Sequence, residues 1–238
     1  MAPETFTLSP CTPDDVEGMI EVYESAFAND YFSSFTFPRE TISDVEKRRW
    51  LRERFHGTFS KPEIRNFKIV EASTGCMAAW ARWGVPYQFS EEELKKKEEE
   101  KDSWPEGSNL EVCEVKFGGL HRKRERYTQK DETYGKSYWI LIWGVIANTW
   151  LVVYLLCTDP AFQRKGLAKR LLQHGLDLAD SEGRKTYIEA TKDGHPVYLK
   201  LGFKDIDVLT MDLSKWGGKE LGVNRIMMRD PKPLSWFG

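Results

Sequence analysis

The sequence predicts an α/β fold, a mixed β-sheet flanked by helices, on the strength of three observations. Residues 151–157 are a continuous apolar run rich in Val and Leu, which is typical of a central strand covered on both faces. A glycine-containing loop, a helix over 166–179 and a strand over 186–191 follow, and this is the order of a parallel βαβ crossover. Two earlier strands, 67–71 and 77–84, are separated by a short turn with glycine, which predicts a strand pair.

The N-terminal part predicts a strand and two helices ahead of this pair. The strand is expected over residues 5–9. Thr12 is a candidate N-cap and Pro13 suits the first helical position, so a helix is expected to begin here. Apolar residues then repeat at helical spacing: Val16, Met19, Ile20, Val22, Tyr23 and Phe27. A second helix, rich in Arg and Glu, is predicted over 41–55.

Length and composition favour one soluble domain over residues 1–238. Of the 238 residues, 40% are apolar and 30% charged, and the net charge is −2, so the basic footprint of a nucleic-acid-binding protein is not seen. The four cysteines are scattered without a CxxC pair, which argues against a metal site and for a reduced, cytoplasmic location. The polar, acidic N-terminus lacks the features of a signal peptide. We therefore expect neither nucleic acid nor membrane as a partner.

Residues 87–137 are predicted to be an insertion in this domain. Within it, SEEELKKKEEEK, residues 90–101, predicts a solvated helix, because Ser90 and Glu93 have capping-box spacing and Glu and Lys recur at i,i+4. HRKRER, residues 121–126, has the charge of a nucleic-acid patch. Many acidic residues lie beside it, however, so an ordinary exposed loop or helix end is the preferred interpretation.

QRKGLA, residues 163–168, predicts a diphosphate-binding loop between the strand and the helix of the crossover. A helix N-terminus carries unpaired backbone N–H groups and a partial positive charge. Gly166 and Ala168 let a ligand approach the backbone closely, and Arg164 and Lys165 add positive charge. The glycine spacings of Rossmann and Walker A loops are not found.

Two segments resemble the GNAT acetyltransferase superfamily. LLCTDPAFQRKGLAKRLL, residues 155–172, is similar to the family's acetyl-CoA motif, a strand followed by x-P-x-x-Q/R-x-x-G-x-G/A and a helix. EATKDGHPVYLKLGF, residues 189–203, is similar to the family's next strand and short helix, with a Tyr before Lys-Leu-Gly-Phe. Weaker likenesses, to fungal members, are found in three further places: Ala26-Phe27, residues 80–86 and residues 227–231.

The resemblance implies an acetyl-CoA-dependent N-acetyltransferase with a sheet that is splayed between its fourth and fifth strands. Those strands would be residues 151–157 and 186–191, and the pantetheine arm of acetyl-CoA would lie between them. The implied acetyl-CoA-binding residues, most of them acting through their backbone, are Leu156, Cys157, Thr158, Gln163, Arg164, Lys165, Gly166, Leu167, Ala168 and Thr191. Thr191 stands where the family more often has Ser or Asn.

Acetyl transfer needs a neutral amine, a polarised thioester carbonyl and a stabilised thiolate. A backbone N–H near Thr158 can polarise the carbonyl. Tyr198 aligns with the family's tyrosine at the thiol and can protonate the sulfur, unless it only packs under its helix. Glu189 is the preferred base, against the alternatives of an outward-facing strand residue or a structural ion pair, and His195 or an ordered water are other candidates. Cys157 lies near the expected thioester, but a buried Cys is more often inert core than an acyl carrier.

The acceptor is expected to be a primary amine of a small molecule or a protein, and the sequence does not identify it. Aromatic residues that can line the acceptor side are Tyr31, Phe32, Trp80, Trp83 and Tyr87, with Trp83 and Tyr31 preferred.

Two other functions stay open. A non-catalytic acyl-CoA-binding protein of the same fold is favoured by the lack of an evident base. A membrane anchor over residues 137–158 is favoured by the absence of charge there, but it would consume the strand that presents the loop. In the same stretch, residues 138–146 predict a hairpin partner for the strand at 150–157; alternatively, about 11 residues near 140–150 are an insertion. An insertion would bulge or expose an apolar patch, which is a candidate interface, for example of a homodimer, or an aggregation site.

Overall fold

The computed structural model describes residues 5–99, 103–128 and 150–233. This part of the chain forms a seven-stranded sheet: β1 (Phe6–Pro10), β2 (Ile64–Glu71), β3 (Met77–Gly84), β4 (Leu151–Thr158), β5 (Thr186–Ala190), β6 (Lys204–Asp212) and β7 (Leu221–Arg229). The strands lie in the order β1-β2-β3-β4-β5-β7-β6. Neighbours are antiparallel except β4 and β5, which are parallel. The predicted α/β class with a mixed sheet is confirmed.

Helices flank this sheet: α1 (Val16–Ala26), α2 (Ser33–Thr36), α3 (Asp44–His56), α4 (Glu91–Glu99), α5 (Leu110–Cys113), α6 (Gly119–Thr128), α7 (Leu167–Ser181) and α8 (His195–Lys200). The second predicted helix begins later than residue 41, because a capping box fixes its start. Its N-cap Ser43 accepts a hydrogen bond from the Glu46 backbone N–H, and the Glu46 carboxylate accepts one from Ser43. A π-helical turn over Glu114–Gly118 joins α5 to α6.

Two layers of helices bury the two faces of the sheet. On one face, α7 and α8 pack over the side chains of Leu151, Val153 and Ile188. On the other, α1 and α3 cover Trp80 and Cys157, while α6 covers Val152, Tyr187 and Ile226. Because side chains alternate along a strand, neighbouring residues of β4 and β5 contribute to opposite faces.

The segment between β3 and β4 contains α4, α5 and α6. The predicted capping box of α4 is present, since Ser90 N donates to Glu93 Oε2 at 2.7 Å and Glu93 N donates to Ser90 Oγ at 3.2 Å. The strands β6 and β7 and the helix α5 are elements that sequence analysis did not predict.

The charge-free stretch at residues 137–158 ends in strand β4. The apolar segment at 138–146, and with it the hairpin and insertion alternatives, lies outside the described residues. Among the helices that the structure describes, none combines the length and the apolar character needed to cross a bilayer.

Candidate active site at the splay of the sheet

Strands β4 and β5 separate after only three residue pairs. Leu151, Val152 and Val153 pair with Thr186, Tyr187 and Ile188, and the pairing stops there. The rest of β4, from Tyr154 to Thr158, is hydrogen-bonded to β3 alone among the described strands. Half of its backbone N–H and C=O groups therefore face an opening, where an extended ligand can pair with them. The predicted splay between the fourth and fifth strands is confirmed.

A β-bulge lies at the start of this opening. Val153 pairs with Trp83, whereas the next pair joins Leu155 to Arg82, so Tyr154 is the extra residue of β4. A bulge re-aims the side chains and the backbone groups that follow it. Tyr154 consequently lies at the apex of the splay.

The loop after β4 presents a row of unpaired backbone N–H groups. Asp159 accepts a hydrogen bond from Ala161 N at 2.8 Å, which starts the loop. Within the described ranges, the N–H groups from Arg164 to Lys169 have no carbonyl partner, because α7 begins at Leu167 and its first internal acceptor is Gly166. Such a row at a helix N-terminus fits a diphosphate.

Backbone conformation explains why glycine stands in this loop. Gly166 has φ +81°, in the left-handed region that side chains disfavour, and Arg164 precedes it with φ +64°. Gly166, Arg164 and Lys165 are exposed, whereas Leu167 is buried under the sheet face that α7 covers. All the predicted binding residues except Thr191, which follows β5, therefore lie in one continuous segment from β4 to the first turn of α7.

Three predicted acetyl-CoA-binding residues also have contacts inside the protein. Gln163 Nε2 donates to Thr158 O at 3.4 Å, which joins the loop to the end of β4. Thr191 Oγ1 accepts from Gly194 N at 3.3 Å and shapes the turn before α8. Cys157 points into the core under α1 and α3, where burial raises the pKa of its thiol. A protonated, enclosed thiol suits core packing better than nucleophilic attack.

Tyr198 lies on the α7 side of the splay. It is 7% exposed and packs with Phe203, whose ring centroid is 5.9 Å away. Burial raises the pKa of its phenol, with Cys157 contributing in the same direction, so Tyr198 is a proton donor at neutral pH. None of the described residues forms a hydrogen bond with its hydroxyl.

Glu189 lies on the opposite side of the splay and is held by an arginine of α6. Arg124 donates from Nη2 to both carboxylate oxygens at 2.8 and 2.9 Å, and from Nε to Oε1 at 3.1 Å. Tyr187 adds a hydrogen bond at 3.3 Å. Burial would lower the pKa of Arg124, but Glu189 outweighs it and the pKa is raised. The ion pair that the sequence left as the alternative is what the structure shows.

The other predicted residues near the splay are also engaged. His195 contacts Asp205 through Nε2 at 2.9 Å, and Arg225 contacts the same carboxylate at 3.1 Å. Trp83 is 1% exposed under α7, so its selection as an acceptor-side residue is wrong. Tyr31 hydrogen-bonds both the N–H and the C=O of Glu220, and thereby joins the segment after α1 to the turn before β7.

Tyr154 and Arg124 were not predicted as site residues from the sequence. The Arg124 guanidinium lies 4.8 Å from the Tyr154 ring centroid, so the two side chains and Glu189 form one cluster. The charge run at 121–126 was the available signal. Its interpretation as exposed is right for four of its residues, but Lys123 and Arg124 face the sheet.

Comparisons with known proteins agree with this architecture. Residues 126–212, less than half of the chain, match the family model described as acetyltransferase (GNAT) domain. No curated protein sequence matches the chain at a significant level.

Three solved structures are similar over almost their whole length. Arylalkylamine N-acetyltransferase 2 from Aedes aegypti has a TM-score of 0.63 at 16% identity, covering 96% of this chain and 100% of that one. The histone acetyltransferase HPA2 and related acetyltransferase from Corynebacterium glutamicum has a TM-score of 0.61 at 16% identity, with coverages of 98% and 99%. The PaiA N-acetyltransferase from Thermoplasma acidophilum, in complex with coenzyme A, has a TM-score of 0.50 at 12% identity, with coverages of 95% and 99%. The fold is therefore that of the GNAT acetyltransferases, whereas the special likeness to fungal members stays a prediction.

Proposed function

We propose that this chain is a GNAT N-acetyltransferase that moves an acetyl group from acetyl-CoA to a primary amine. One observation carries the proposal: the unpaired edge of β4 runs directly into the loop of unpaired amides. An extended arm that ends in a diphosphate fits this sequence of contacts. One of the similar structures was solved with coenzyme A, which supports the same ligand.

The backbone is proposed to hold most of acetyl-CoA. The free edge at Leu156, Cys157 and Thr158 would pair with the pantetheine amides, and the unpaired amides at 164–168 would bind the diphosphate. Arg164 and Lys165 are exposed beside the loop and add positive charge. Thr191 lies across the opening at the end of β5 and remains a candidate contact.

Bound acetyl-CoA would supply an activated acetyl thioester, which the amine attacks directly in a ternary complex. A backbone N–H of the free β4 edge would polarise the carbonyl. Tyr198 would donate its proton to the departing sulfur and regain one from solvent. Its raised pKa suits a group that is protonated before the reaction.

The attacking amine must lose a proton, so the site needs a proton acceptor. Glu189 lies on the face of the sheet that α6 covers, opposite Tyr198, and the acceptor amine is proposed to bind on that side. Three hydrogen bonds from Arg124 and one from Tyr187 already engage its oxygens. We therefore favour proton loss through water, with Glu189 and Arg124 shaping the acceptor side of the splay.

The test is an acetyl-CoA thiol-release assay over a panel of polyamines, aminosugars, amino acids and histone-like peptides. With a responsive amine, Tyr198→Phe is expected to lower kcat about 100-fold while the Kd for acetyl-CoA changes little. Tyr127→Phe is the matched control, because that hydroxyl contacts Asp207 on α6's side of the sheet. Equal turnover in wild type and Tyr198→Phe would refute the acid role.

The same panel of amines distinguishes the acetyltransferase from the alternative, a non-catalytic acyl-CoA-binding protein. A non-catalytic protein would bind acetyl-CoA and release no thiol with any amine. A cytoplasmic location and a single domain over residues 1–238 are part of the proposal as well, with residues 87–137 as its insertion.

A further inference from the structure

Arg82 carries a buried positive charge that forms no ion pair with a carboxylate among the described residues. It lies in β3 with 9% exposure. Other cations that are largely buried do have carboxylate partners, at distances between 2.5 and 3.6 Å: Lys68 with Asp15, Lys116 with Asp30, Lys123 with Asp207, Arg124 with Glu189 and Arg229 with Asp180. Arg82 therefore differs from these five cations, because it lacks a carboxylate partner among the described residues.

The contacts that Arg82 does make are neutral. Its Nε donates to Asn66 Oδ1 at 3.0 Å, and its guanidinium lies 4.9 Å from the ring of Phe55 and 5.3 Å from that of Trp80. Its Nη2 is buried and has no hydrogen-bond partner among the described residues. Burial, with the positive charge of Arg54, lowers its pKa to about 10, so it is still cationic at neutral pH. A buried charge in this state is costly unless a counter-ion binds.

A cavity of about 330 Å³ lies on the other side of Asn66. Asn66 Nδ2 donates to Thr58 Oγ1 at 3.0 Å, and both side chains line this cavity. Lys61 and Arg65 line it too, and no acidic residue does so among those described. Asp15 acts on Cys11 at one end of this lining, but it is paired with Lys68. Arg65 on the wall and Arg82 behind it therefore raise the potential inside, since a cleft with low-dielectric walls focuses the field.

We propose that Arg82 and this cavity form a binding site for one small anion with a carboxylate or phosphate group. The anion would offset the charge of Arg82 across the Asn66 amide, which lines the cavity and accepts a hydrogen bond from Arg82 Nε. This site is separate from the loop at residues 163–168, because its lining comes from the end of β1, the start of β2 and the turn after α3.

Two sources can supply this chemistry. One is a dissolved anion, and the other is an anionic group on the acceptor amine. Arg82 pairs in register with Leu155, so it is one strand, about 4.8 Å, from the free half of β4. An acceptor that carries a carboxylate would therefore find Arg82 close to the splay. This second source rests on the proposed function.

Cys11 offers a local probe, because its partly exposed thiol lines the cavity. Burial and, to a smaller extent, the charge of Asp15 raise the pKa of the Cys11 thiol to about 12. Its alkylation by N-ethylmaleimide is therefore measured at mildly alkaline pH, where more of the reactive thiolate is present. Phosphate and acetate are titrated at constant ionic strength, and the rate at each cysteine is read by peptide mass spectrometry. We expect the Cys11 rate to fall saturably while the rate of the exposed Cys76 stays constant.

Variants test whether the protection of Cys11 by anions depends on Arg82. Arg82→Met is expected to weaken anion binding about tenfold, as for the loss of a charged hydrogen-bond donor, and Arg82→Lys to retain most of it. Arg65→Gln, an exposed change that should not affect folding, is expected to weaken binding about twofold. A wild-type Cys11 rate that ignores both anions would overturn the site, even if Arg82→Met does not fold. If the folded Arg82→Met variant shows an unchanged midpoint of the anion titration, the site is overturned as well.

Turnover distinguishes the two sources. An amino acid is compared with the matching amine that lacks the carboxylate. If the anionic group belongs to the acceptor, Arg82→Met raises KM for the amino acid alone; if the anion is dissolved, the two KM values respond alike. A lack of turnover with every amine would refute the proposed function and leave the Cys11 result standing.

Discussion

At the scale of single residues, Gly175 is where α7 approaches the sheet most closely. A Cβ added there would lie 2.3 Å from Cζ2 of Trp83, a ring that is 1% exposed and cannot move away. Alanine normally favours a helix over glycine by about 1 kcal/mol, but overpacking a core costs about 1–3 kcal/mol. The cost exceeds the gain, so we expect Gly175→Ala to lower the free energy of unfolding by about 1 kcal/mol, measured by urea denaturation.

Gly57 provides the control for this substitution. It ends α3 with helical dihedral angles, and an added Cβ meets no atom within 4 Å. Gly57→Ala should therefore change the free energy of unfolding by no more than about 0.5 kcal/mol in either direction. Equal losses in the two variants would mean that contact with Trp83 is not the cause.

The same residues show what a sequence can predict at this scale. Gly166 was placed correctly in its loop, because the need for glycine arises within the local order of strand, loop and helix. Trp83 was assigned to the acceptor side, whereas it packs under α7. The face that a strand residue occupies depends on the helix that covers it, and here that helix lies more than eighty residues further along the chain.

At the scale of elements, the Arg124–Glu189 ion pair attaches α6 to β5. Its side chains are 24% and 14% exposed, and its geometry is bidentate. Since loss of one partner leaves the other partly buried and unpaired, we expect Arg124→Ala to reduce the free energy of unfolding by about 2 kcal/mol. A double-mutant cycle with Glu189→Ala, followed by urea denaturation, should show a coupling of about 1–2 kcal/mol.

The exposed pair of Arg122, on the same helix, and Glu114, in the turn before it, is a matched control. Its side chains are 63% and 68% exposed, so solvent screens the attraction. Arg122→Ala should cost no more than about 0.5 kcal/mol, and the coupling in its cycle should be as small. A coupling of that size for Arg124 and Glu189 would show that the bidentate pair does not anchor α6.

Elements differ in how well the sequence predicts them. The crossover of β4, α7 and β5 was predicted because its apolar run and its helical spacing are local patterns. The pairing of Arg124 with Glu189 spans 65 positions and depends on how α6 lies over the sheet. A run of basic residues shows charge, but it does not show which of them will face inward.

At the scale of the whole molecule, the sheet consists of two parts that meet at the splay. Three residue pairs join β4 to β5, so other contacts must hold the parts together. One of these joins α7 to β7: Asp180 accepts hydrogen bonds from Arg229 at 2.7 and 2.8 Å and from the Lys232 backbone at 2.8 Å. Arg229 is 3% exposed, so its charge depends on Asp180.

This contact makes stability depend on pH. Burial alone would raise the pKa of Asp180, but the hydrogen bonds from Arg229 and Lys232 and the charge of Arg229 outweigh it, and the pKa is lowered. The folded pKa thus lies below the unfolded value of about 3.9. The stabilisation is therefore fully present above the unfolded value, and it is lost as the pH falls through the folded one.

Asp180→Asn is expected to reduce the free energy of unfolding by about 2 kcal/mol at neutral pH, because it removes the partner charge of a buried arginine. The loss should shrink as the pH falls below about 3.9, since wild-type Asp180 then becomes neutral as well. Urea unfolding at several pH values across this range measures both effects. Asp193→Asn, a change at an exposed residue, is the control and should leave the dependence of the unfolding free energy on pH unaltered. A loss of the same size at every pH would show that the contact stabilises the two parts by shape and not by charge.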